Sequence, residues 1–575
     1  MRFFVKQSKP SKKGTYLQIY QSFYKKGFGG RNKSYKVIGY VDELINQGIK
    51  DPIKYAQDLV DKLNENIKSK KNIEIGDISV TSNIGYFLIK SMIDNLDVDR
   101  VTNIVSQNYK SELRMSDFIR TMIYAQIISP GSKLKAFENV IPTIYGSDNY
   151  SYDQILNALN FIGNDYSKFI ELYTHQINEI YGIDTSSTYF DCTNYYFEID
   201  LERDDLRKGP SKENRKCPLI SQALMLDSNQ IPIAMEMFPG NESEKPHIRK
   251  QIEDIKVRYD INGRVIQVAD KGLNCAKNIY SCVKEASDGY IFSKSFRSRG
   301  VDNVEKKWML LEDEKNIWKE VKDSNGNIKF RYKELIDTFD YKCILDGDEE
   351  ETKFRIKEKR IVTYSPSLAR KQRLEIQKEI DKAQITMSIK QASKDDYGDS
   401  IKYVKFESFD EKGNKIKIKP TLNEEKIEED LLYAGYNLLV TSELNKSGLE
   451  IYSIYHNLWK IEESFRVMKT YLEARPVYLQ KKESIYGHFL ICYLALVVLR
   501  LLELKIFNNE ISVGKLISFI RDFNITSDGK GSYINNATKS EIRNKIKKKL
   551  GLSKMDVLYL SQRDVNLLLK TDLTL

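Results

Sequence analysis

The order of strands and helices after Gly182 constrains the fold more than any other feature of this sequence. Three β-branched and aromatic segments (187–199, 217–227 and 230–238) follow one another. A helical pattern (243–260), an apolar strand (264–270), a short helix and a last strand (289–294) come next. Strands joined by tight turns pair antiparallel, whereas a crossover helix leads to a parallel strand. The segment therefore predicts a mixed sheet with helices packed on it.

The segment from about 300 to 435 interrupts this pattern. It is rich in Lys, Glu and Asp, contains the turn sequences DSNGN (323–327) and DEKGN (410–414), and has one helical stretch at 367–383. A buried strand returns at 436–441, and 447–475 and 485–505 are strongly helical. We expect an α+β multidomain protein with these parts: a β/α region with a β-hairpin (1–75), a helical region (80–182), a mixed α/β core (183–295 and 436–510), a β-rich insertion domain (296–435) and a C-terminal helical region (511–575).

Composition excludes disorder and membrane insertion. The 575 residues are 41% hydrophobic and include 36 Tyr and 24 Phe, enough apolar area to form several cores. The longest apolar run, 489–499, ends at Arg500 and is shorter than the roughly 20 residues that a bilayer requires. The N-terminus has no apolar stretch of signal-peptide length. We expect a cytoplasmic protein without membrane contact.

The side chains that this sequence offers as metal ligands favour a site built from carboxylate oxygens. The six Cys form no CxxC pair, and only four His are spread over the whole chain. Structural zinc sites need clustered Cys and His, so they are not expected here. A metal held by carboxylates would be a hard cation such as Mg²⁺ or Mn²⁺.

The N-terminal segment carries a concentrated positive charge. Residues 1–41 contain ten Lys and Arg and no acidic residue, interleaved with two β-branched and aromatic runs. A Gly-rich stretch separates the runs, which predicts a β-hairpin. A basic hairpin with exposed Tyr is typical of contact with nucleic-acid phosphates. A solvated Lys-rich face is the alternative, and the charge alone does not decide between them.

Two aspartates occupy notable positions in the predicted sheet. Asp191 lies inside the first strand, where alternation places it on one face with Tyr189 and Thr193. Asp270 ends the strand 264–270, at the carboxyl edge where open α/β sheets place their ligands. A turn or helix cap is the alternative for either residue alone. Two acids on neighbouring strands of one sheet favour a functional site.

A third carboxylate lies on a predicted helix after residue 447. Tyr455, Glu462 and Lys469 are seven residues apart and so form one line on one face of a continuous helix. An apolar stripe from Leu458 to Leu472 supplies burial beside that line. The alternative is a surface charge stripe with a Tyr at one end.

The helix resembles the signature of bacterial insertion-sequence transposases with a DDE catalytic domain, Tyr-x2-Arg-x3-Glu-x6-Lys. The pattern falls on Tyr455, Leu458, Glu462 and Lys469, with Leu458 in place of the Arg. YFDCTNYYFE and VADKG are similar to the family's first and second Asp boxes, and FPGNESE and LEARPVY to its accompanying stretches. The resemblance covers roughly residues 187–500. It implies a ribonuclease-H-like core interrupted by a β-rich insertion.

The resemblance also implies the chemistry of the site. Asp191, Asp270 and Glu462 would be catalytic and would hold two Mg²⁺ (or Mn²⁺) ions, with Asp191 as the bridging ligand. Tyr455 and Lys469 would contact the phosphates of the DNA end, and Lys271 and Arg466 are further candidates for DNA binding. Glu463 competes for the role of third carboxylate, but it lies about 100° from the line of Tyr455 and Lys469 on an ideal helix.

The expected function is therefore that of a DNA transposase. It would bind terminal inverted repeats of double-stranded DNA through the N-terminal and helical regions and pair two ends as a homodimer. It would then cut the ends and join their 3′ hydroxyls to target DNA, in the nucleoid-associated cytoplasm of a bacterium. Two alternatives stay open: a structure-specific ribonuclease-H-like nuclease, which cuts without joining, and an inactive DNA-binding derivative, which the Leu458 position favours.

Overall fold

The computed structural model describes residues 2–10, 14–25, 29–69, 81–109, 113–210, 216–258, 261, 263–295, 306, 308–310, 318–389, 394–407, 419–529 and 531–573. The chain divides into two compact units. The smaller contains Met1–Val80 with Ser527–Ser532, and the larger contains Thr81–Thr526 with Tyr533–Leu575.

The smaller unit contains a three-stranded antiparallel sheet, followed by the helices Val41–Asn46 and Pro52–Ser69. Its strands, in spatial order, are β1 (Arg2–Gln7), β2 (Tyr16–Lys25) and β3 (Gly29–Tyr40). Leu17 and Ile19, two residues apart in β2, share one face of the sheet and lie in two small neighbouring hydrophobic cores. The predicted hairpin corresponds to β2 and β3, and the prediction lacked β1 as a third strand. Its turn falls partly on 26–28, outside the described residues.

The larger unit is a mixed α/β structure with several sheets. Its strands are β4 (Thr81–Asn83), β5 (Ser187–Tyr196), β6 (Leu219–Leu226), β7 (Pro232–Pro239), β8 (Ile266–Ala269), β9 (Gly289–Lys294), β10 (Lys319–Lys322), β11 (Ile328–Ile344), β12 (Glu351–Tyr364), β13 (Val404–Glu407), β14 (Lys419–Leu422), β15 (Tyr436–Thr441), β16 (Asn524–Ser527), β17 (Ser532–Asn535) and β18 (Tyr559–Ser561). Nine of them form the central sheet, in the order β10-β11-β12-β15-β9-β8-β5-β6-β7.

The connections of the central sheet follow the predicted pattern. β5, β6 and β7 are antiparallel neighbours, whereas β5, β8 and β9 are parallel. The helix Lys245–Arg258 precedes β8, and the helix Ala276–Tyr280 precedes β9. The predicted order of three strands, helix, strand, helix and strand over 187–294 is confirmed. β15 then returns antiparallel beside β9.

The two faces of the sheet belong to two hydrophobic cores, because successive residues of a strand point to opposite faces. Tyr189 and Tyr195 of β5 lie in the larger core with helices from 81–181 and 448–522. Phe190 and Cys192 lie in the second core with the two crossover helices. The helix Lys482–Leu501, which contains the long apolar run, is buried in the larger core. Among the described residues, no helix combines the length and apolarity needed to cross a membrane.

The other helices surround this sheet or follow it in the chain. Those of the larger unit are Phe87–Asn95, Val98–Val105, Met115–Ile128, Lys133–Lys135, Tyr152–Asn164, Tyr166–Tyr181, Pro366–Met387, Glu424–Leu432, Gly448–His456, Trp459–Arg466, Val513–Asp522, Glu541–Leu550 and Gln562–Leu569. Short 3-10 or π segments are Ser106–Asn108, Ala136–Val140, Ile141–Thr143, Ser281–Glu285, Lys394–Tyr403, Val467–Tyr471, Leu502–Ile506 and Ser553–Asp556. β18, β17, β16 and β4 form a four-stranded sheet.

The segment 296–435 both extends the central sheet and adds structure of its own. β12 pairs antiparallel with β15, so β10, β11 and β12 continue the sheet. The DSNGN turn joins β10 to β11, and the predicted helix 367–383 is observed as Pro366–Met387. β13 and β14 form a separate two-stranded sheet. The predicted DEKGN turn lies outside the described residues.

Candidate active site

Asp191 and Asp270 occupy adjacent positions on neighbouring parallel strands. Asp270 follows Asp191 by 79 residues (191 to 270), and the register of β5 with β8 has the same offset, since Phe190 lies opposite Ala269. Continuing that register by one residue places the two aspartates side by side. Adjacent strands are about 4.8 Å apart, so the two aspartates are direct neighbours on the central sheet.

A third strand contributes Ser293 to the same row. Ala269 of β8 lies opposite Phe292 of β9, so the next position along both strands holds Asp270 and Ser293. Asp191 in the middle of β5, Asp270 directly after β8 and Ser293 near the end of β9 therefore form a row across three parallel strands. By alternation, all three share a face with the residues of the larger hydrophobic core. The helix Trp459–Arg466, called here the glutamate helix, contributes Ile461 and Phe465 to that core.

The glutamate helix is shorter than the sequence predicted. The predicted continuous helix over 447–475 consists of Gly448–His456, the glutamate helix and a π turn at Val467–Tyr471. Asn457 and Leu458 between the first two keep right-handed dihedral angles, but their amides bond carbonyls three residues back. The ideal-helix line through Tyr455, Glu462 and Lys469 is therefore wrong in detail, because 3-10 bonding and a π turn change the rotation per residue.

Contacts with β5 nevertheless place this segment across Asp191. The Asn457 amide Nδ2 lies 3.5 Å from the Tyr189 hydroxyl. Further along, the Lys469 ammonium donates a 2.7 Å hydrogen bond to Thr193 Oγ1. Tyr189 and Thr193 are two residues before and after Asp191 on the same face of β5. The chain between the two contacts, which contains Glu462, therefore passes over Asp191.

The pKa of the Tyr455 hydroxyl is affected by all three carboxylates. Its pKa is raised to about 12, first by burial and then by the negative charges of Asp270, Glu462 and Asp191, while a hydrogen bond with Ser293 acts in the opposite direction. All three carboxylates therefore lie close enough to Tyr455 for their charges to act on its hydroxyl. Tyr455 thus joins residues from two strands and a helix into one site.

The two neighbouring glutamates have different surroundings. Glu462 is exposed, and none of the described residues forms an ion pair with it. The Glu463 side chain is only 14% exposed and pairs with Lys460 at 3.3 Å, with Arg466 at 3.5 Å and with the buried Arg500 at 3.3 Å. Glu463 therefore anchors the glutamate helix to the protein, which leaves Glu462 as the carboxylate available at the site.

The donor set fits a hard divalent cation in its chemistry. Asp191 Oδ1 accepts a 2.8 Å bond from the Cys192 amide, and Asp270 Oδ1 accepts a 2.6 Å bond from the Gly272 amide. These neutral donors orient the carboxylates without neutralising their charge, and Mg²⁺ and Mn²⁺ prefer such oxygen ligands. As the side chains stand, no group of three or more His, Cys, Asp or Glu in the described part of the chain is close enough to hold a metal ion.

The candidate DNA-binding residues are placed differently from one another. Lys469 lies at the site, on Thr193, with its ammonium also 5.3 Å from the centre of the Tyr195 ring. Lys271 is exposed beside Asp270 and lines a cavity of about 460 Å³ together with both cationic and acidic side chains. Arg466 is exposed and pairs with Glu463. Leu458 is buried in the core, so its position cannot supply a phosphate contact.

The sequence analysis assigned no role to Ser293, Thr193 or Arg500. The equal offset between the strands and between the two aspartates is a signal that could have identified the row. An arginine at the end of a long apolar run could likewise have indicated a buried ion pair. Comparison with known protein families and with curated proteins finds no match to this chain.

Proposed function

We propose that this chain is a DDE-class DNA transposase with a ribonuclease-H-like core. It binds terminal inverted repeats of double-stranded DNA, cuts at the ends and transfers the strands to target DNA, with Mg²⁺ or Mn²⁺ as cofactor, in the bacterial cytoplasm at the nucleoid. The observation that carries the proposal is the adjacent placement of Asp191 and Asp270 on two parallel strands, with the segment that contains Glu462 held across Asp191 by contacts with Tyr189 and Thr193. Pairing of two DNA ends makes a homodimer the expected active form.

The order of the central strands supports the fold assignment. The sequence pattern behind this assignment is three strands joined by tight turns, followed by helix, strand, helix and strand in one mixed sheet. The order β7-β6-β5-β8-β9 has this arrangement, with β5 parallel to β8 and β8 parallel to β9. Asp191 lies on β5 and Asp270 directly follows β8. Glu462 comes from the glutamate helix, which packs on the same face of the sheet as the two aspartates.

The three carboxylates have the chemistry of a two-metal phosphoryl-transfer site. Asp191, Asp270 and Glu462 would hold the ions. Bound there, the ions supply an activated nucleophile and charge stabilisation at the leaving oxygen. Asp191 lies within β5 and Asp270 directly follows β8, so the sheet fixes two of the ligands in advance. The exposed Glu462 side chain lies on the open side of the site, where DNA must enter.

Lys469 and Tyr455 are suited to position the DNA end. Lys469 is held by Thr193, and its ammonium carries the charge that suits a phosphate oxygen. Tyr455 is neutral at physiological pH, as any tyrosine with an ordinary or raised pKa is, so its hydroxyl can donate a hydrogen bond beside three anionic groups. Both residues would fix the phosphate relative to the carboxylates, which is where most of the rate enhancement of phosphoryl transfer arises.

The test is a cleavage and strand-transfer assay on labelled DNA that carries the repeats flanking the gene. Wild type should cut and join in Mg²⁺ but not in EDTA, and Asp270→Asn should do neither. Asp200→Asn changes an exposed carboxylate beyond the end of β5 and is the matched control, which should keep full activity.

The same assay separates the alternatives. Cutting without joined products would favour a structure-specific nuclease, and repeat-specific binding without any metal-dependent cutting would favour a DNA-binding derivative. Cutting and joining by Asp270→Asn at the wild-type rate would overturn the assignment of the site.

A further inference from the structure

Lys133 is a buried cation with few neighbouring groups to stabilise its charge. Its side chain is 4% exposed, and its ammonium donates a 2.9 Å hydrogen bond to the neutral amide oxygen of Gln126. No described carboxylate forms an ion pair with it. The neighbouring Cys492 is neutral at physiological pH because burial raises its pKa to about 12. A buried ammonium with one neutral partner costs several kcal/mol, so an anionic ligand would relieve a specific deficit.

Lys133 is one of the residues that line a cavity of about 560 Å³. The other lining residues lie within Pro130–Lys135 and Pro476–Leu479, together with Tyr152, Glu473 and His488. Its volume lies within the range of small-molecule sites, roughly 300–1,000 Å³. Much of the wall is apolar or aromatic, with Leu134 and Tyr478 exposed at the surface.

The charged groups at the cavity favour an anion. Lys135 adds a second cation, and its ammonium bonds the carbonyl of Pro130 at 2.8 Å. His488 is neutral, since burial and Lys133 together lower its pKa to about 3. Glu473 is the one acid among these described lining residues, and it is exposed. A complementary ligand has an anionic group for Lys133 and a flat apolar body for the aromatic and aliphatic walls.

We infer that this cavity binds a nucleoside phosphate, with the phosphate on Lys133 and the base against Tyr152 and Tyr478. The ligand is either a free nucleotide or the terminal nucleotide of a DNA strand, and only the second source rests on the proposed function. The site is separate from the three carboxylates. Gln126 links the two regions, because its amide Nε2 donates a 2.6 Å bond to the carbonyl of Leu472, three residues beyond Lys469.

The test is isothermal titration of the full-length protein with AMP, adenosine, inorganic phosphate and a 5′-phosphorylated single-stranded tetranucleotide. AMP or the tetranucleotide should bind, and adenosine and phosphate should each bind about tenfold more weakly, since each has only one half of the binding groups. Binding of AMP alone identifies a free nucleotide, and binding of the tetranucleotide alone identifies a strand end.

Lys133→Met should weaken the binding by about tenfold or more, because a hydrogen bond to a charged group contributes about 1.5–3 kcal/mol. This variant removes an uncompensated charge from the interior, so its melting temperature should not fall. Lys168→Met, on an exposed helix position, is the control and should bind as wild type does. Glu462→Gln should also bind normally, which separates this site from the proposed catalysis.

Equal affinity of wild type and Lys133→Met for the tightest-binding probe would overturn the inference. So would an absence of binding by both AMP and the tetranucleotide at millimolar concentration.

Discussion

Exchanging each of the two adjacent glutamates for glutamine separates a structural carboxylate from a catalytic one. Glu463→Gln removes the negative charge that lies 3.3 Å from the fully buried Arg500. At an effective dielectric constant of about 20, one such pair is worth roughly 5 kcal/mol before desolvation is subtracted. Arg500 keeps Glu503 as a second partner, so we expect a net loss of about 2 kcal/mol of stability.

The expected shift in melting temperature follows from the size of the larger unit. For about 490 residues, the entropy of unfolding is roughly 1 kcal/mol per kelvin, so a loss of 2 kcal/mol corresponds to about 2 °C. Glu462→Gln changes an exposed group without an ion pair among the described residues and should alter stability by less than about 0.5 kcal/mol. Differential scanning calorimetry measures both variants under the same conditions.

The activities should show the opposite order. Glu462→Gln should lower cleavage more than about 100-fold, since even outer-shell partners of a metal are worth about 10–100-fold. Glu463→Gln should retain cleavage at temperatures well below its transition. A variant Glu463→Gln that melts as wild type does but cannot cut, beside an active Glu462→Gln, would refute the reasoning and exchange the two roles.

Three further predictions concern other parts of the molecule. Glu358 is fully buried and accepts hydrogen bonds from Tyr290, Tyr341 and Arg360 at 2.6, 2.7 and 2.7 Å, which join β12 to β9 and β11. Glu358→Gln should lower the free energy of unfolding by about 3 kcal/mol in a denaturant titration, and an unchanged midpoint would contradict this role. Burial raises the pKa of Asp227 to about 6, so the folded protein holds this proton more tightly than the unfolded chain does. The resulting stability, about 3 kcal/mol, is complete below about pH 4 and is lost as the pH rises through about 6, and this pH dependence of unfolding should be absent in Asp227→Asn. Replacing the exposed Arg31, Lys33 and Lys36 of β3 by Gln should weaken binding to repeat DNA. The slope of log K against log salt concentration should fall by about 0.9 for each DNA phosphate that is no longer neutralised, and an unchanged slope in a filter-binding titration would exclude this strand from the interface.

The strands around the site could be predicted because their patterns are local. Short β-branched runs with tight turns specify β5 to β9, and the helices between them leave parallel connections as the solution. The side-by-side placement of Asp191 and Asp270 depends instead on register, which is set by pairing between strands far apart in sequence. Asp191 and Asp270 are 79 residues apart in the sequence, but only the observed pairing of β5 with β8 shows that residues 79 apart lie opposite each other.

The glutamate helix shows where local patterns are insufficient. The heptad spacing of Tyr455, Glu462 and Lys469 assumes a constant rotation per residue, whereas 3-10 bonding before Trp459 and a π turn after Arg466 change it. Their common orientation is maintained by contacts with β5 and by the ion pairs of Glu463. The extension of the central sheet by β10 to β12 was likewise not evident, because the edge partner of a strand is decided by tertiary packing.

Replacing Mg²⁺ with Fe²⁺ in the presence of ascorbate and peroxide tests most directly whether Asp191, Asp270 and Glu462 hold one metal site. Radicals generated at bound iron cut the polypeptide close to its ligands. We expect fragments ending near residues 191, 270 and 462, suppressed by excess Mg²⁺ and absent in Asp191→Asn. Mg²⁺-sensitive cutting at other positions, or the same three cuts in Asp191→Asn, would contradict a shared metal site.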